Sequence, residues 1–289
     1  MKTVRTVAEL RAEIASLDGT IGLVPTMGAF HEGHLSLMRA ARERCDVVVV
    51  SLFVNPAQFD LAGDLAGYPR DEARDAALAA EEGVDVLFAP APDEVYPGGV
   101  GTTVHVGGVT DALEGEHRPG HLDGVATVVA KLFNMVAPQV AFFGQKDAQQ
   151  AAMVRKLVRD LDLPVEIDVR PTVREPDGLA MSSRNALLSP ADRARATALP
   201  RALSAVADAA DEGVEAALAA GRAELAGLDV DYLAAVDTAT LRPAEDFEEG
   251  DVLVAIAARV GEVRLIDNTI VRAGDRGHAE TKRGIPCSA

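Results

Sequence analysis

The 289-residue chain is poor in cysteine, in long apolar runs and in positive charge. Its two cysteines, Cys45 before an expected buried strand and Cys287 in a polar terminal stretch, lack the spacing of a metal site or a redox pair, so both read as small hydrophobes. The longest apolar runs, such as 47–54, are strand-sized and far short of the roughly 20 residues that cross a bilayer. No membrane partner is therefore expected. The amino end, Met1-Lys2-Thr3-Val4-Arg5, leads into a polar, helix-like stretch with no apolar segment before a cleavage site, so a cytoplasmic protein is expected. Lysine and arginine total 28 against 45 acidic residues, giving a formal net charge of −17 that is spread along the chain. That surplus argues against generic nucleic-acid binding, and it obliges any phosphate site to gather its own local cluster of positive groups. Repeats are absent too, and the alanine enrichment over 191–227 reads as helix propensity.

What is present is 48% hydrophobic and 25% charged, enough for one large α/β domain and a smaller one. Short β-branched runs at 21–26, 47–54, 84–89 and 140–143 read as buried strands, and helical periodicity fills 35–44, 72–82, 125–136 and 149–161. Strands alternating with helices imply a Rossmann-like parallel sheet whose ligands sit at the carboxyl edge. After Arg174-Glu175-Pro176-Asp177-Gly178 the character changes, which places a boundary near 173. Ser189 and Pro190 open alanine-rich helices as cap and first turn, and 230–236 and 252–270 read as strands, the latter as a hairpin around Gly261-Glu262. The expected organisation is an α/β, Rossmann-like domain over 1–172, a smaller α+β domain over 173–272, and a mobile tail over 273–289.

Chemistry concentrates where expected strands end. Pro25-Thr26-Met27-Gly28-Ala29-Phe30-His31-Glu32-Gly33-His34 joins the first strand to a helix near Leu35, a phosphate-binding arrangement in which glycines admit close approach and both imidazoles donate. A metal would need a third ligand, and none is nearby in sequence. Val54-Asn55-Pro56-Ala57-Gln58-Phe59 puts amides at the next strand end; alone, Asn55 and Pro56 read as a turn. Tyr68-Pro69-Arg70 reads alone as an extended segment, and Arg118-Pro119-Gly120-His121 as an exposed loop or a source of positive charge at a helix entrance. Phe142-Phe143-Gly144-Gln145-Lys146-Asp147-Ala148-Gln149-Gln150 joins another strand to a helix. Here Lys146 suits an α-phosphate, Asp147 a ribose hydroxyl, and Gln150 a substrate hydroxyl or carboxylate. Met181-Ser182-Ser183-Arg184-Asn185 gathers two hydroxyls and a guanidinium, donors for β- and γ-phosphates or, for the serines alone, a helix cap.

Four such motifs in this order resemble the pantothenate synthetases, of the His-x-Gly-His nucleotidyltransferase superfamily, over about residues 1–272, where Arg264-Leu265-Ile266-Asp267-Asn268 is a further segment in the family style. The resemblance implies ATP-dependent condensation of pantoate with β-alanine through a pantoyl adenylate, with Mg²⁺ and a homodimer. It implies catalytic roles for His31, His34, Lys146, Ser182, Ser183 and Arg184. ATP contacts would also come from Pro25, Thr26, Met27, Gly28, Gly144, Asp147, Val173 and Met181. Substrate contacts would come from Met27, Asn55, Gln58, Arg118, His121 and Gln150. No protein ligand to a metal is implied. Ala148 stands where the family commonly has tyrosine, which leaves the polar residues around it intact. The binding residues span both expected domains, so the second is expected to close over ATP. The rivals are another nucleotidyltransferase of the same fold, which would close its site with other loops, and a silent nucleotide-binding protein, which would have lost phosphate donors.

Overall fold

The computed structural model describes residues 1–59, 62–248 and 250–272; the tail 273–289, with Cys287, lies outside the described residues. The chain folds as two compact units, the first made of Met1–Gly144 and Gln149–Arg170, the second of Gln145–Ala148 and the chain from Pro171 onward. The tetrapeptide Gln145–Ala148 thus belongs with the second unit although the first flanks it on both sides.

The first unit contains β1 (Lys2–Val4), α1 (Val7–Ile14), β2 (Ile21–Thr26), α2 (Glu32–Arg44), β3 (Val47–Leu52), α3 (Ala62–Gly67), α4 (Glu72–Glu81) and β4 (Val86–Phe88). It continues through α5 (Pro92–Val95), α6 (Glu114–His117), α7 (His121–Val136), β5 (Val140–Gly144), α8 (Ala148–Asp160) and β6 (Glu166–Arg170). Among the described residues its sheet is parallel throughout, in the order β1-β4-β3-β2-β5-β6. Val47 to Val50 are all buried, which requires cover on both faces. On one face Val24, Val48, Val50 and Phe142 pack against Leu37, Met38 and Ala41 of α2 and Ala79 of α4. Residues of the other parity, Leu23, Val49 and Phe88, are equally buried, and each such side chain contributes roughly 1.5–3 kcal/mol relative to exposure.

Two strands extend the sheet beyond the four expected. β1 has three residues, and β6, Glu166-Ile167-Asp168-Val169-Arg170, is an edge strand whose acids pair with Arg44. Neither carries the apolar run by which a central strand announces itself. The winding reverses between β2 and β5, which makes their carboxyl ends the switch point where doubly wound sheets take ligands. Both ends run into motifs singled out above.

The second unit holds α9 (Pro190–Ala196), α10 (Ala198–Asp208), α11 (Val214–Glu224), β7 (Asp229–Asp237), β8 (Asp251–Val260) and β9 (Val263–Arg272). Ser189 caps α9 with Pro190 in the first turn, as expected. The strands form an antiparallel sheet, β7-β8-β9, packed on α9 and α10 through Leu199, Ala202, Leu203, Val254 and Ile256. Gly261, at φ +60°, takes the first position of the two-residue β8–β9 loop, a conformation open to glycine at little cost.

Candidate active site

The helix after β2 starts at Glu32, three residues earlier than its apolar periodicity suggests, and the two histidines explain why. His31 is the N-cap: its Nδ1 accepts the Gly33 N–H at 3.1 Å, while His34 Nδ1 accepts the His31 N–H at 3.4 Å. This is a capping box in which imidazoles stand where Ser and Glu usually do. A ring nitrogen that accepts carries no proton, so each neutral ring holds its hydrogen on Nε2, the atom that can donate to an anion. The rings lie 4.2 Å apart, centroid to centroid.

The turn before them is held from a distance. Gly28 sits at φ +88° and Ala29 at φ +52°, a left-handed pair that a side chain at the first position would strain. Asp75 of α4, 1% exposed, accepts the N–H groups of Ala29 at 2.7 Å and Phe30 at 2.8 Å. Those two amides are therefore satisfied by a protein carboxylate. Arg74 donates to the Phe30 carbonyl at 3.0 Å and completes the clamp. Thr26 is likewise engaged in the sheet, its hydroxyl donating to the Ser51 carbonyl at 2.6 Å. Pro25 and Met27 are half-buried beside it.

After β3, Asn55 caps a 3₁₀ turn over Pro56–Gln58. Its side chain is 1% exposed and saturated: Nδ2 donates to Gln58 Oε1 at 3.0 Å and the Gly124 carbonyl at 3.1 Å, while Oδ1 accepts from Ala57 N at 3.2 Å and the Tyr96 hydroxyl at 2.8 Å. The amide cannot flip without setting donors against donors. Gln58 Oε1 is thereby occupied, and among the described residues nothing accepts from its Nε2, although Gln58 is only 8% exposed. The side chain is mostly buried but its Nε2 is not sealed from solvent, so this donor end is open to a ligand. Tyr96 is buried and donates to Asn55; burial pushes its phenol up to about 12 against an ordinary 10.

His121 and Arg118 also converge on this turn. His121, first residue of α7, places Nδ1 2.7 Å from the Gln58 carbonyl, which only accepts, so Nδ1 carries the proton. Its Nε2 takes the Arg118 guanidinium at 3.1 Å. α7 presses so close that a Cβ on Gly124 would lie 2.2 Å from the Ala57 carbonyl oxygen. Asn55, Arg118 and His121, expected to touch substrate, are thus brought together around Gln58. Arg70, of the Tyr68-Pro69-Arg70 motif, donates instead to carbonyls at the end of α3.

The β5 end carries Gly144, where a side chain would meet nothing within 4 Å among the described residues beyond its chain neighbours. Gln150 is half-buried in the first turn of α8; its neighbour Gln149 turns inward and bonds to the Val109 and Ala112 carbonyls. In the second unit, Lys146 and Asp147 occupy a 3₁₀ turn with Nζ 3.7 Å from Oδ1. Ser182 caps the 3₁₀ turn Ser183–Leu187 by accepting the Arg184 N–H at 3.2 Å, so its cap role and its hydroxyl donor coexist. Val173 is buried and accepts the Met181 N–H at 3.0 Å, and Met181 is half-buried.

A protein-family model described as pantoate-beta-alanine ligase matches residues 2–270. The chain belongs to the pantoate–β-alanine ligase family. It is 56% identical over 272 residues to a pantothenate synthetase of Cereibacter sphaeroides, covering 91% of this chain and 97% of that one. A Roseiflexus castenholzii pantothenate synthetase is 51% identical over 278 residues, covering 94% and 100%. Among solved structures, the pantothenate synthetase of Thermus thermophilus superposes with a TM-score of 0.89 at 51% identity, covering 94% of this chain and 100% of that one. The Francisella tularensis pantoate-beta-alanine ligase, complexed with beta-gamma ATP and beta-alanine, gives 0.80 at 33% identity, covering 93% and 97%. Membership brings the family's reaction: the chain is an ATP-dependent ligase that condenses pantoate with β-alanine to pantothenate.

Within this ligase, reading by motif missed the residues that hold the others. Asp75 has no local signal, since it reaches the turn from 46 residues away. Tyr96 looks like any core aromatic. Gly124 offers a hint, because a glycine inside a helix pattern usually marks a close packing contact.

Proposed function

We propose that catalysis runs in two steps on the residues assembled above. Pantoate's carboxylate attacks the α-phosphorus of ATP, releasing pyrophosphate and leaving a pantoyl adenylate; the β-alanine amine then adds to the acyl carbon and AMP departs. A carboxylate with a pKa near about 4 is already ionised at neutral pH, so the first step needs alignment and charge neutralisation in place of a base. His31 and His34 supply Nε2–H donors, Lys146 a point charge for the α-phosphate, and Ser182, Ser183 and Arg184 donors for the outer phosphates. Pro25, Thr26, Met27, Gly28, Gly144, Val173 and Met181 line the nucleotide, and Asp147 accepts from its ribose. Gln58 and Gln150 hold pantoate. Asn55, Arg118 and His121 serve pantoate by shaping Gln58.

The observation that carries this reading is the open donor end of Gln58, buried, oriented by Asn55 and matched to an acceptor oxygen of a small hydroxy acid. Mg²⁺ bound with ATP would neutralise phosphate charge beside Lys146 and Arg184. As a hard cation it keeps most of its water and needs few protein ligands, and among the described residues no group of three or more His, Cys, Asp or Glu side chains is arranged for a metal. We extend the reading to a cytoplasmic homodimer, in which the first unit binds pantoate and the second contributes Lys146 and the serine–arginine donors.

Pyrophosphate exchange into ATP, with pantoate compared against other hydroxy acids, tests the assignment. Pantoate-dependent exchange is expected, and its absence would overturn the reading. Lys146→Ala should lower that exchange by roughly 10²–10³ with folding intact; near-normal exchange would remove Lys146 from the mechanism.

A further inference from the structure

Segment Arg264 to Asn268 stood out in the sequence without a role in the chemistry, and in the structure it grips two of the segments assigned to phosphate. Asp267 and Asn268 are adjacent on β9, 2% and 4% exposed. Successive strand residues point to opposite sides, so the pair can reach different neighbours.

Asp267 takes both ends of the Arg174 guanidinium, at 2.7 and 3.0 Å, and Arg174 also donates to the carbonyls of Gly178 and Asn268. A buried, bidentate pair of this kind fixes geometry strongly. Arg174 bridges to Ala180, so the hairpin that leads into Ser182, Ser183 and Arg184 is anchored at its base.

Asn268 holds the other segment. Its Nδ2 donates to the Gln145 carbonyl at 2.9 Å and the Lys146 carbonyl at 2.8 Å, and its Oδ1 accepts from Gln145 Nε2 at 3.2 Å. Two consecutive carbonyls of a 3₁₀ turn thus share the two hydrogens of one side-chain amide from about 120 residues away. That contact is one physical reason why Gln145–Ala148 folds with the second unit. A Lys ammonium on a four-carbon stem is a poorly oriented charge unless its backbone is fixed.

We propose that Asn268 is a positioning residue for adenylation, which holds the peptide of Lys146 so that its ammonium meets the transferring phosphate. The proposal rests on the reading that Lys146 acts on ATP. It predicts that Asn268 works through Lys146 and not through general stability.

The test is a double-mutant cycle with Asn268→Ala, Lys146→Ala and both together, followed by single-turnover adenylate formation with enzyme in excess so that slow variants still register. Displacements of about 1 Å can cost on the order of 10²-fold, so Asn268→Ala should slow adenylation by about thirtyfold with the KM for pantoate unchanged. In the Lys146→Ala background the same change should cost less than about threefold, because residues acting as a unit are not additive. Thermal denaturation of each variant monitors folding, and Asn268→Ser, which keeps one donor, replaces Asn268→Ala if the latter does not fold. Equal losses in both backgrounds, or no loss in the first, would overturn the proposal. A Lys146→Ala enzyme with normal adenylation would instead overturn the reading beneath it, and the proposal with it.

Discussion

Asp75 illustrates how a residue outside the motifs holds one of them in place. Its carboxylate satisfies two amides of a turn with left-handed backbone at Gly28 and Ala29, immediately before the capping histidines. Asp75→Asn preserves volume but sets an NH₂ group against one of those N–H donors. A buried polar group left unsatisfied costs about 1–3 kcal/mol. The variant should therefore melt earlier and show a KM for ATP raised by about tenfold, with the KM for pantoate changed less; steady-state kinetics with each substrate varied in turn would check this. The strand–glycine–helix context made the imidazoles candidate phosphate donors. Which ring nitrogen donates was not legible there, because that depends on backbone N–H groups placed only once the helix exists.

At the scale of elements, the contact between α7 and the turn after β3 fixes the turn proposed to hold pantoate. Alanine is a better helix former than glycine by up to about 1 kcal/mol, so propensity alone would make Gly124→Ala stabilising. Its Cβ would meet backbone atoms at 2.2, 2.5 and 2.7 Å, none of which can rotate away. Overpacking typically costs about 1–3 kcal/mol, so the clash wins. Gly124→Ala is expected to lower the melting temperature and raise the KM for pantoate, since α7 or the Asn55–Gln58 turn must shift. An unchanged melting temperature would show that the helix yields freely. The central strands and main helices were readable from periodicity. The edge strands were passed over: β1 is only three residues long, and β6 lacks an apolar run, although its alternation of charged and apolar residues is itself the signal of a half-buried strand.

For the molecule as a whole, the pH limits of stability follow from a few groups. Arg193 holds the Asp177 carboxyl below its ordinary 3.8 by donating to it, and the Thr240 hydroxyl and N–H do the same for Asp237. A carboxyl whose folded pKa is depressed stabilises the fold above its unfolded value, and that contribution is lost as pH falls through the lowered one. Urea midpoints should accordingly decline below about pH 4. At the other end, Tyr96 is raised to about 12, so its contribution is complete below pH 10 and fades as pH rises towards 12. Tyr96→Phe should remove that alkaline decline, and urea titrations between pH 9 and 12 would show it. At neutral pH the same variant leaves Asn55 Oδ1 with one donor fewer and should weaken pantoate binding.

By itself the sequence determined the class of fold and named the candidate residues for the chemistry. The His31–His34 and Lys146–Asp147 motifs each follow a strand end and the Ser182–Arg184 motif opens a 3₁₀ turn, and in each the candidate groups are neighbours along the chain. Only the tertiary structure decided which partners within the protein those polar groups meet. Asn55 and His121, which the resemblance implies as substrate contacts, are bonded around Gln58, while Asn268, in the sequence only part of a segment in the family style, holds the Lys146 peptide. The physical reason is that a side-chain hydrogen bond is spent on whichever partner folding brings within about 3 Å, and those partners lie from a few to more than a hundred residues away.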